Sequence, residues 1–287
     1  MKELLIISGK GGTGKTSVAS SFIALAESCI ICDYDVDASN LPILLKPEIL
    51  NHTPFSGGFT AEINPEKCIS CGLCQDLCRF EAIDEKYHVD GLSCEGCAFC
   101  SRVCPVGAIK MLPHNSGQSF EAITTDQKPI FFAELKPGEE NSGKLVAQVK
   151  SRAQAKAKEE HIDLIISDGP PGIACSAISS LVGVELALIV AEPSVSAFSD
   201  VQRVFELLRL RGVKTALLIN KSDLNLALSV DMEEWANSHS IHFIGKIPFS
   251  LAVADAIAGA TIPVNIPEVR NLFIPLWDKV QGCLNGI

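Results

Sequence analysis

The stretch LLIISGKGGTGKTS, residues 4–17, places a glycine-rich loop between an apolar run and a helix-forming run. Residues 9–16 fit the pattern G-x-x-x-x-G-K-[ST], in which glycines let backbone N–H groups converge on phosphate oxygens. Because a strand must precede this loop and a helix must follow it, the flanking runs favour a nucleotide-phosphate loop over a ligand-free turn. The residues that we expect at the phosphates are Gly9, Gly11, Gly12, Thr13, Gly14, Lys15, Thr16 and Ser17.

Two side chains of this loop have predicted chemical roles. We expect the Lys15 ammonium group to reach the β- and γ-phosphates and the Thr16 hydroxyl to ligate Mg²⁺. The N-terminus of the following helix adds partial positive charge, which favours a bound anion. The loop therefore predicts a nucleoside triphosphate bound together with Mg²⁺.

Apolar runs of strand length alternate with helical patterns over most of the chain, which is typical of a doubly wound α/β domain with a mostly parallel sheet. We predict strands at residues 4–8, 29–33, 164–168, 186–191, 215–220 and 243–247, and helices near residues 16–26, 143–161, 198–211 and 232–238. The alternation fails in a stretch rich in Gly, Cys and short turns, and β-like pieces at 120–126 and 129–135 lead back from it. The sequence thus predicts a P-loop domain of residues 1–54 and 114–287, with a small α+β domain inserted at residues 55–113.

The composition speaks against several classes of function. A net charge of −10 without any basic run argues against a nucleic-acid partner. No apolar run approaches the ~18 residues of a membrane span, and the first residues show no leader. The final stretch, VRNLFIPLWDKVQGCLNGI at 269–287, lacks a Lys/Arg-rich face and is expected to dock on the core. We therefore expect a cytoplasmic protein without a membrane partner.

The chain has 12 cysteines and no recognisable export signal, which indicates metal or redox chemistry rather than disulfides. Eight of them form two runs, CISCGLCQDLC from residue 68 and CEGCAFCSRVCP from residue 94, with the spacing of bacterial ferredoxins. In that pattern three thiolates of a run hold one [4Fe–4S] cluster and the fourth crosses to the other cluster. We expect cluster 1 on Cys68, Cys71, Cys74 and Cys104, and cluster 2 on Cys94, Cys97, Cys100 and Cys78.

Zinc is the alternative to these clusters, but tetrahedral zinc sites use pairs of C-x₂-C rather than two four-cysteine runs. Arg79 stands where the ferredoxin pattern has a proline; because that proline donates no ligand, the assignment is unchanged, and we expect Arg79 to set local charge. Crossed ligation joins the two half-units in place of an apolar core, so we expect cluster loss to unfold the insert.

Lys10, a second lysine just after the first glycine of the loop, resembles the deviant phosphate loop of the class that includes MinD, the partition ATPases and the nitrogenase iron protein. The resemblance implies that this lysine crosses a dimer interface to the partner's nucleotide. Cys175 has the spacing of a cluster-ligating cysteine of the nitrogenase iron protein, but with no second ligand beside it we expect an inert thiol.

Two further segments are similar to the switches of that class. CDYDVDASNL, residues 32–41, resembles the first switch and implies that Asp35 orients the attacking water, with Asp33 and Asp37 as alternatives. LIISDGPPG, residues 164–172, resembles the second switch and implies that Asp168 holds Mg²⁺ through water.

The turn NKSD places Asn220 and Asp223 at the end of a later strand, where the base is expected. An N-K-x-D turn usually binds guanine, because one carboxylate accepts from both the ring N–H and the exocyclic amine. Adenine offers one donor and one acceptor on that edge, which suits the Asn220 amide better. The resemblance favours ATP, and GTP stays open.

With its loop, both switches, its insert and a late segment GKIPFSLAVADAIAGATIPV similar to a base-contacting loop and helix, the chain resembles MinD/Mrp-related P-loop ATPases that carry a two-cluster ferredoxin domain. The resemblance implies ATP hydrolysis, Mg²⁺, two [4Fe–4S] clusters, and a dimer with itself or with a related subunit. Since the insert follows the first switch, our first hypothesis is that ATP gates electron transfer to a redox partner. The alternative is a carrier that delivers iron–sulfur clusters or another metal cofactor to a client protein. A MinD-like membrane-positioning role is disfavoured by the final stretch.

Overall fold

Nine strands form one sheet in a computed structural model that describes residues 1–286. They are β1 (Lys2–Ser8), β2 (Ile30–Asp33), β3 (Glu48–Ile63), β4 (Ile109–Ile123), β5 (Pro129–Leu135), β6 (Leu164–Pro171), β7 (Leu186–Ala191), β8 (Lys214–Asn220) and β9 (His242–Ile247). Their order across the sheet is β3-β4-β5-β2-β6-β1-β7-β8-β9. The P-loop strand β1 pairs in parallel with β6 on one side and with β7 on the other.

Helices connect these strands. They are α1 (Lys15–Leu25), α2 (Leu41–Leu45), α3 (Leu73–Asp76), α4 (Phe99–Val103), α5 (Ser142–Glu159), α6 (Cys175–Ser180), α7 (Val195–Leu210), α8 (Leu226–Ser238), α9 (Leu251–Ala258) and α10 (Pro267–Asn285). Across the sheet, the seven strands β5-β2-β6-β1-β7-β8-β9 pair in parallel. Their carboxyl ends therefore share one edge, which is the usual place for a ligand in this type of sheet.

The structure confirms the predicted doubly wound α/β class, all six predicted strands and all four predicted helices, with shifts at their ends. Strands such as β7 are buried along their whole length, which explains their continuous apolar sequences. Helices α7 and α8 begin earlier than predicted because Ser194 and Asn225 cap them. Each cap side chain accepts a backbone N–H bond, from Ala197 and Leu228 respectively.

The chain divides into two compact units. Unit 1 comprises Met1–His52, Ser119–Glu134 and Ser142–Ile287, and unit 2 comprises Thr53–Gln118 and Leu135–Asn141. Unit 2 is therefore larger than the predicted insert at residues 55–113. Its second segment belongs to it because Lys136 N–H donates to Ser116 O at 2.9 Å and because the His114 Nε2 and Glu139 Oε1 atoms lie 2.6 Å apart.

In unit 1, α10 docks on the apolar core, as the final stretch of the sequence predicts. Trp277 and Phe273 pack on Phe22 of α1, with ring centroids 5.2 and 6.1 Å away. Ile287, the last residue of that stretch, lies outside the described residues. Within residues 1–286, none of the helices is long and apolar enough to cross a membrane.

Unit 2 has a small core. The buried members of its apolar cluster are Ala61, Cys74, Ile83 and Ile109, and four more cysteines pack around them: Cys78, Cys94, Cys100 and Cys104. The short helices α3 and α4 begin at equivalent positions of the two cysteine runs. Five cysteines thus belong to this small core, alongside aliphatic and aromatic side chains.

Candidate nucleotide and cluster sites

Asp168 lies at the floor of the phosphate loop and contacts both of its functional side chains. The Lys15 Nζ atom lies 2.6 Å from Asp168 Oδ1, and the Thr16 hydroxyl donates to Asp168 Oδ2 at 2.7 Å. Burial alone would lower the pKa of Lys15, but the Asp168 carboxylate outweighs it, so the pKa of Lys15 is raised above its ordinary value. Carboxylate and hydroxyl oxygens are the hard ligands that Mg²⁺ prefers, so these residues fit the predicted Mg²⁺ site.

Glycines of the loop are required by conformation and by close contacts. Gly12 and Gly14 have φ of 81° and 88°, which favour glycine. A Cβ on Gly14 would also lie 2.2 Å from Asn220 Nδ2, and one on Gly9 would lie 2.3 Å from Asp200 Cβ. The loop can therefore bend around a phosphate group only with these glycines in place.

A pocket of ≈ 690 Å³ opens above the loop. The loop from Gly11 to Ser17 forms one wall, and apolar side chains of α2 and α9, including Ile43 and Val253, form others. The segment 247–250 before α9 also contributes to the wall. The volume, the loop and the apolar sides suit a nucleotide, with its phosphates on the loop and its base between apolar groups.

The three aspartates of the first switch have different surroundings. Asp33 is fully buried and accepts three hydrogen bonds, from Asp35 N–H, the Ser39 hydroxyl and Leu41 N–H, at 2.8–3.0 Å. Burial raises the pKa of Asp33 to about 7, and the adjacent Asp168 carboxylate adds to this effect. Asp35 lines the pocket, and burial raises its pKa as well. Asp37 is exposed and lies outside the pocket wall.

Lys10 is bound within its own chain. Its Nζ atom lies 2.9 Å from Glu192 Oε1, and Lys221 Nζ lies 3.1 Å from Glu192 Oε2. Burial would raise the pKa of Glu192, but the two lysines outweigh it, so the pKa is lowered and the carboxylate stays charged. Lys221 also donates to Gly12 O at 2.9 Å, which connects this cluster to the phosphate loop.

Of the two residues predicted to contact the base, only one lines the pocket. Asn220 lines the pocket, but its amide group donates to Thr13 O at 2.8 Å. Asp223 lies outside the pocket wall, and its Oδ1 atom accepts from Phe249 N–H at 2.6 Å. Asp223 therefore positions the segment before α9, which does line the pocket.

In unit 2, the eight cysteines of the two runs line two cavities. A cavity of ≈ 20 Å³ is lined by Cys68, Cys71, Cys74 and Cys104, and one of ≈ 350 Å³ is lined by Cys78, Cys94, Cys97 and Cys100. The last cysteine of each run thus faces the first three of the other run. In residues 1–286, no three His, Cys, Asp or Glu side chains form a ready site for a single metal ion.

The other cysteines differ from these eight. Cys29, Cys32 and Cys283 are buried in unit 1, as the apolar patterns around them predict. Cys175 is exposed at the first position of α6. Arg79 is exposed and lines the larger cysteine cavity, beside the sulfur atoms predicted to hold cluster 2.

Several residues around the nucleotide pocket were not predicted from the sequence. Glu192 and Lys221 contact the loop from far along the chain, and no local pattern marks them. Ile43 of the short helix α2 is 57% exposed in a stretch with no helical period. The lysine in NKSD was visible as part of the turn, but its bond to Gly12 O depends on the tertiary fold.

Comparisons with known proteins agree with this architecture. Residues 61–111 match the family described as "4Fe-4S dicluster domain". The uncharacterized protein MJ0578 of Methanocaldococcus jannaschii is 37% identical over 228 residues, which cover 78% of this chain and 79% of that protein.

Solved structures of MinD and McdA share the fold. The Pyrococcus furiosus cell division ATPase MinD aligns with a TM-score of 0.57 at 18% identity, over 98% of both chains. MinD of Pyrococcus horikoshii OT3, solved with Mg-ADP, gives 0.58 at 16% identity over 97% of this chain and 95% of that one. The Cyanothece McdA(D38A)–ATP complex gives 0.58 at 18% identity over 100% and 97%.

Proposed function

We propose that the chain, which belongs to the same family as MJ0578 of Methanocaldococcus jannaschii, is an ATPase whose nucleotide state controls electron transfer through two [4Fe–4S] clusters. Its MinD/ParA-type P-loop fold and its 4Fe–4S dicluster domain supply the two components. One observation carries their coupling: both segments of unit 2 lie in the chain between the two stretches that resemble the switches.

The first connection runs from the first switch. Asp35 and α2 line the nucleotide pocket, β3 begins at Glu48, and unit 2 begins at Thr53. The second connection runs from unit 2 through the segment Leu135–Asn141 into α5, which packs on α6 just after the second switch. A change at the γ-phosphate that moves either switch therefore acts on a segment leading to the clusters.

The proposed nucleotide is ATP. Guanine recognition needs a free carboxylate in the pocket, whereas Asp223 lies outside the pocket wall and one of its oxygens accepts from Phe249 N–H. Two of the solved proteins with this fold hold Mg-ADP or ATP, which supports the same choice. We propose that Lys15 turns from Asp168 to the phosphates, so that Thr16 and Asp168 become free to hold Mg²⁺.

The proposed dimer also follows from the loop. Lys10 is bound to Glu192 in the single chain. We propose that it leaves Glu192 when a second copy, or a related subunit, presents its nucleotide. A redox partner then receives the electron, and the eight cysteines hold the clusters from which it comes.

The test is a potentiometric titration of the clusters, followed by electron paramagnetic resonance, with and without Mg-ATP. We expect the midpoint potential of at least one cluster to shift by about 60 mV, a tenfold change in its one-electron equilibrium. Lys15→Ala should abolish both the shift and ATP turnover while cluster absorbance stays. If hydrolysis proceeds with no shift in the native protein, the electron-transfer proposal fails, and iron transfer to an apo-protein would then support the cofactor carrier.

A further inference from the structure

A lysine on α5 is buried far from the phosphate loop. Lys150 is 4% exposed, and its Nζ atom lies 3.0 and 2.9 Å from the two carboxylate oxygens of Glu3. The same ammonium group donates to Ser180 O at 2.7 Å, at the last residue of α6. A cation at a helix C-terminus is favourable, so one side chain holds α6 to β1 and α5 together.

Glu3 also accepts a hydrogen bond from one hydroxyl group of each switch. Tyr34, between Asp33 and Asp35, donates its hydroxyl to Glu3 Oε1 at 3.0 Å, and Ser167, just before Asp168, donates at 2.9 Å. Neighbouring residues along a strand point to opposite faces of the sheet. Because Ser167 directly precedes Asp168 in β6, Ser167 and Glu3 lie on the face of the sheet opposite to Asp168.

Burial sets the protonation state of the Tyr34 hydroxyl group. Burial raises the pKa of Tyr34 well above its ordinary value, so the phenol keeps its proton and donates. The Glu3 Oε2 atom has no aligned hydrogen bond among the described residues, although it lies 2.9 Å from Lys150 Nζ. The carboxylate thus depends on Lys150 for its charge balance.

A second contact joins α5 to α6. A Cβ on Gly143, in the first turn of α5, would lie 2.8 Å from Ser179 Oγ and 3.1 Å from Cys175 O. A larger side chain at this position would therefore turn the Ser179 hydroxyl aside and push α6 away from α5 by a few tenths of an ångström. Gly143 thus lies close to Cys175 and Ser179 of α6, and Lys150 bonds to Ser180 at the end of the same helix.

We infer that Lys150 is a positioning residue that transmits the state of the second switch through α6 and α5 to the segment Leu135–Asn141 of unit 2. This inference rests on the proposed function, since it names the residue through which the nucleotide acts on the clusters. Ser142 begins α5 directly after Asn141, so any shift of α6 that α5 follows is passed along the chain into unit 2.

The test compares variants by the ATP-dependent change in cluster reduction and by ATP turnover, measured separately. The main variant is Glu3→Gln/Lys150→Met, which removes both charges together, because Lys150→Met alone would leave a buried carboxylate unpaired. We expect ATP turnover within about threefold of the native protein, and an ATP-dependent change in the reduction equilibrium that falls from about tenfold to below about twofold. Gly143→Ala, which keeps both charges, should reduce the change as well and serves if the double variant does not fold.

Lys128→Met is the matched control. Lys128 is 7% exposed and donates to Ile23 O at 2.8 Å, so it is also a buried lysine on a helix carbonyl, but it contacts neither switch. This variant should keep the full ATP-dependent change in the reduction equilibrium of the clusters. A folded double variant or Gly143→Ala that keeps the change, or a Lys128→Met variant that loses it equally, would overturn the inference. Absence of any change in the native protein would instead overturn the proposed function.

Discussion

At the scale of single residues, three aspartates spaced two apart in sequence have three different surroundings. Asp33 is enclosed and accepts three hydrogen bonds from the turn that it holds. Asp37 is exposed, while Asp35 lines the nucleotide pocket. Sequence resemblance left all three as candidates, because the direction and the exposure of each side chain depend on how the turn after β2 closes. The surroundings support Asp35 as the residue that orients the attacking water.

We therefore expect Asp35→Ala to lower the rate of ATP hydrolysis by about 100-fold or more, since a residue that positions and activates water contributes on this scale. ATP affinity should change little, because the loop holds the phosphates. Phosphate release under saturating ATP, together with equilibrium binding, measures both quantities. Asp37→Ala is the control and should keep the native rate; equal losses in the two variants would contradict the assignment.

At the scale of elements, the sequence predicted best those parts that are buried on both sides. Strands such as β7 are continuous apolar runs, whereas β3 begins with the exposed residues EILNHTP and carries no such signal. The five-residue helix α2 is too short to show a period. Residues 135–141 were assigned to the P-loop domain because their bonds to Asn115 and Ser116 are tertiary and leave no trace in sequence.

The two cysteine runs give a prediction at this scale. If ligation is crossed, the cluster spectrum of Cys78→Ser should match that of Cys97→Ser, and the spectrum of Cys104→Ser should match that of Cys71→Ser. Each variant should keep about four of about eight iron atoms, because one [4Fe–4S] cluster survives. Iron analysis and electron paramagnetic resonance measure this. A match between Cys78→Ser and Cys71→Ser would show that each run holds its own cluster.

Helix α10 gives a second prediction at the scale of elements. Trp277 is 5% exposed and packs on Phe22, so Trp277→Ala should lower the free energy of unfolding of unit 1 by about 3–5 kcal/mol. Ile274 on the same helix is 39% exposed, and Ile274→Ala should cost less than about 1 kcal/mol. Guanidinium unfolding followed by circular dichroism compares the two. Equal losses would mean that α10 is not anchored by its buried face.

At the scale of the whole molecule, the two units differ in what stabilises them. Unit 1 has an extended apolar core, whereas the core of unit 2 is small and includes five cysteines. Small domains of this kind depend on their metal groups for stability. We therefore expect unit 1 to hold its fold on its own and unit 2 to need its clusters.

Removal of the clusters with an iron chelator should therefore unfold unit 2 and leave unit 1 able to bind ATP. Limited proteolysis should then cut within residues 53–118, while ATP binding by the treated protein stays within about twofold of the untreated value. The untreated protein, digested in parallel, should resist cleavage there. Protection of residues 53–118 after complete iron removal would show that unit 2 holds its fold without clusters.

The discontinuity of unit 1 has a consequence for biosynthesis. Strand β1 is made first, yet its neighbours β6 and β7 begin only at Leu164 and Leu186. All eight ferredoxin-type cysteines leave the ribosome before either neighbour does, at a synthesis rate of roughly 5–20 residues per second. The nascent chain therefore exposes its thiols while the ATP-binding half is still incomplete, and the order of synthesis leaves time for metallation before the nucleotide fold closes.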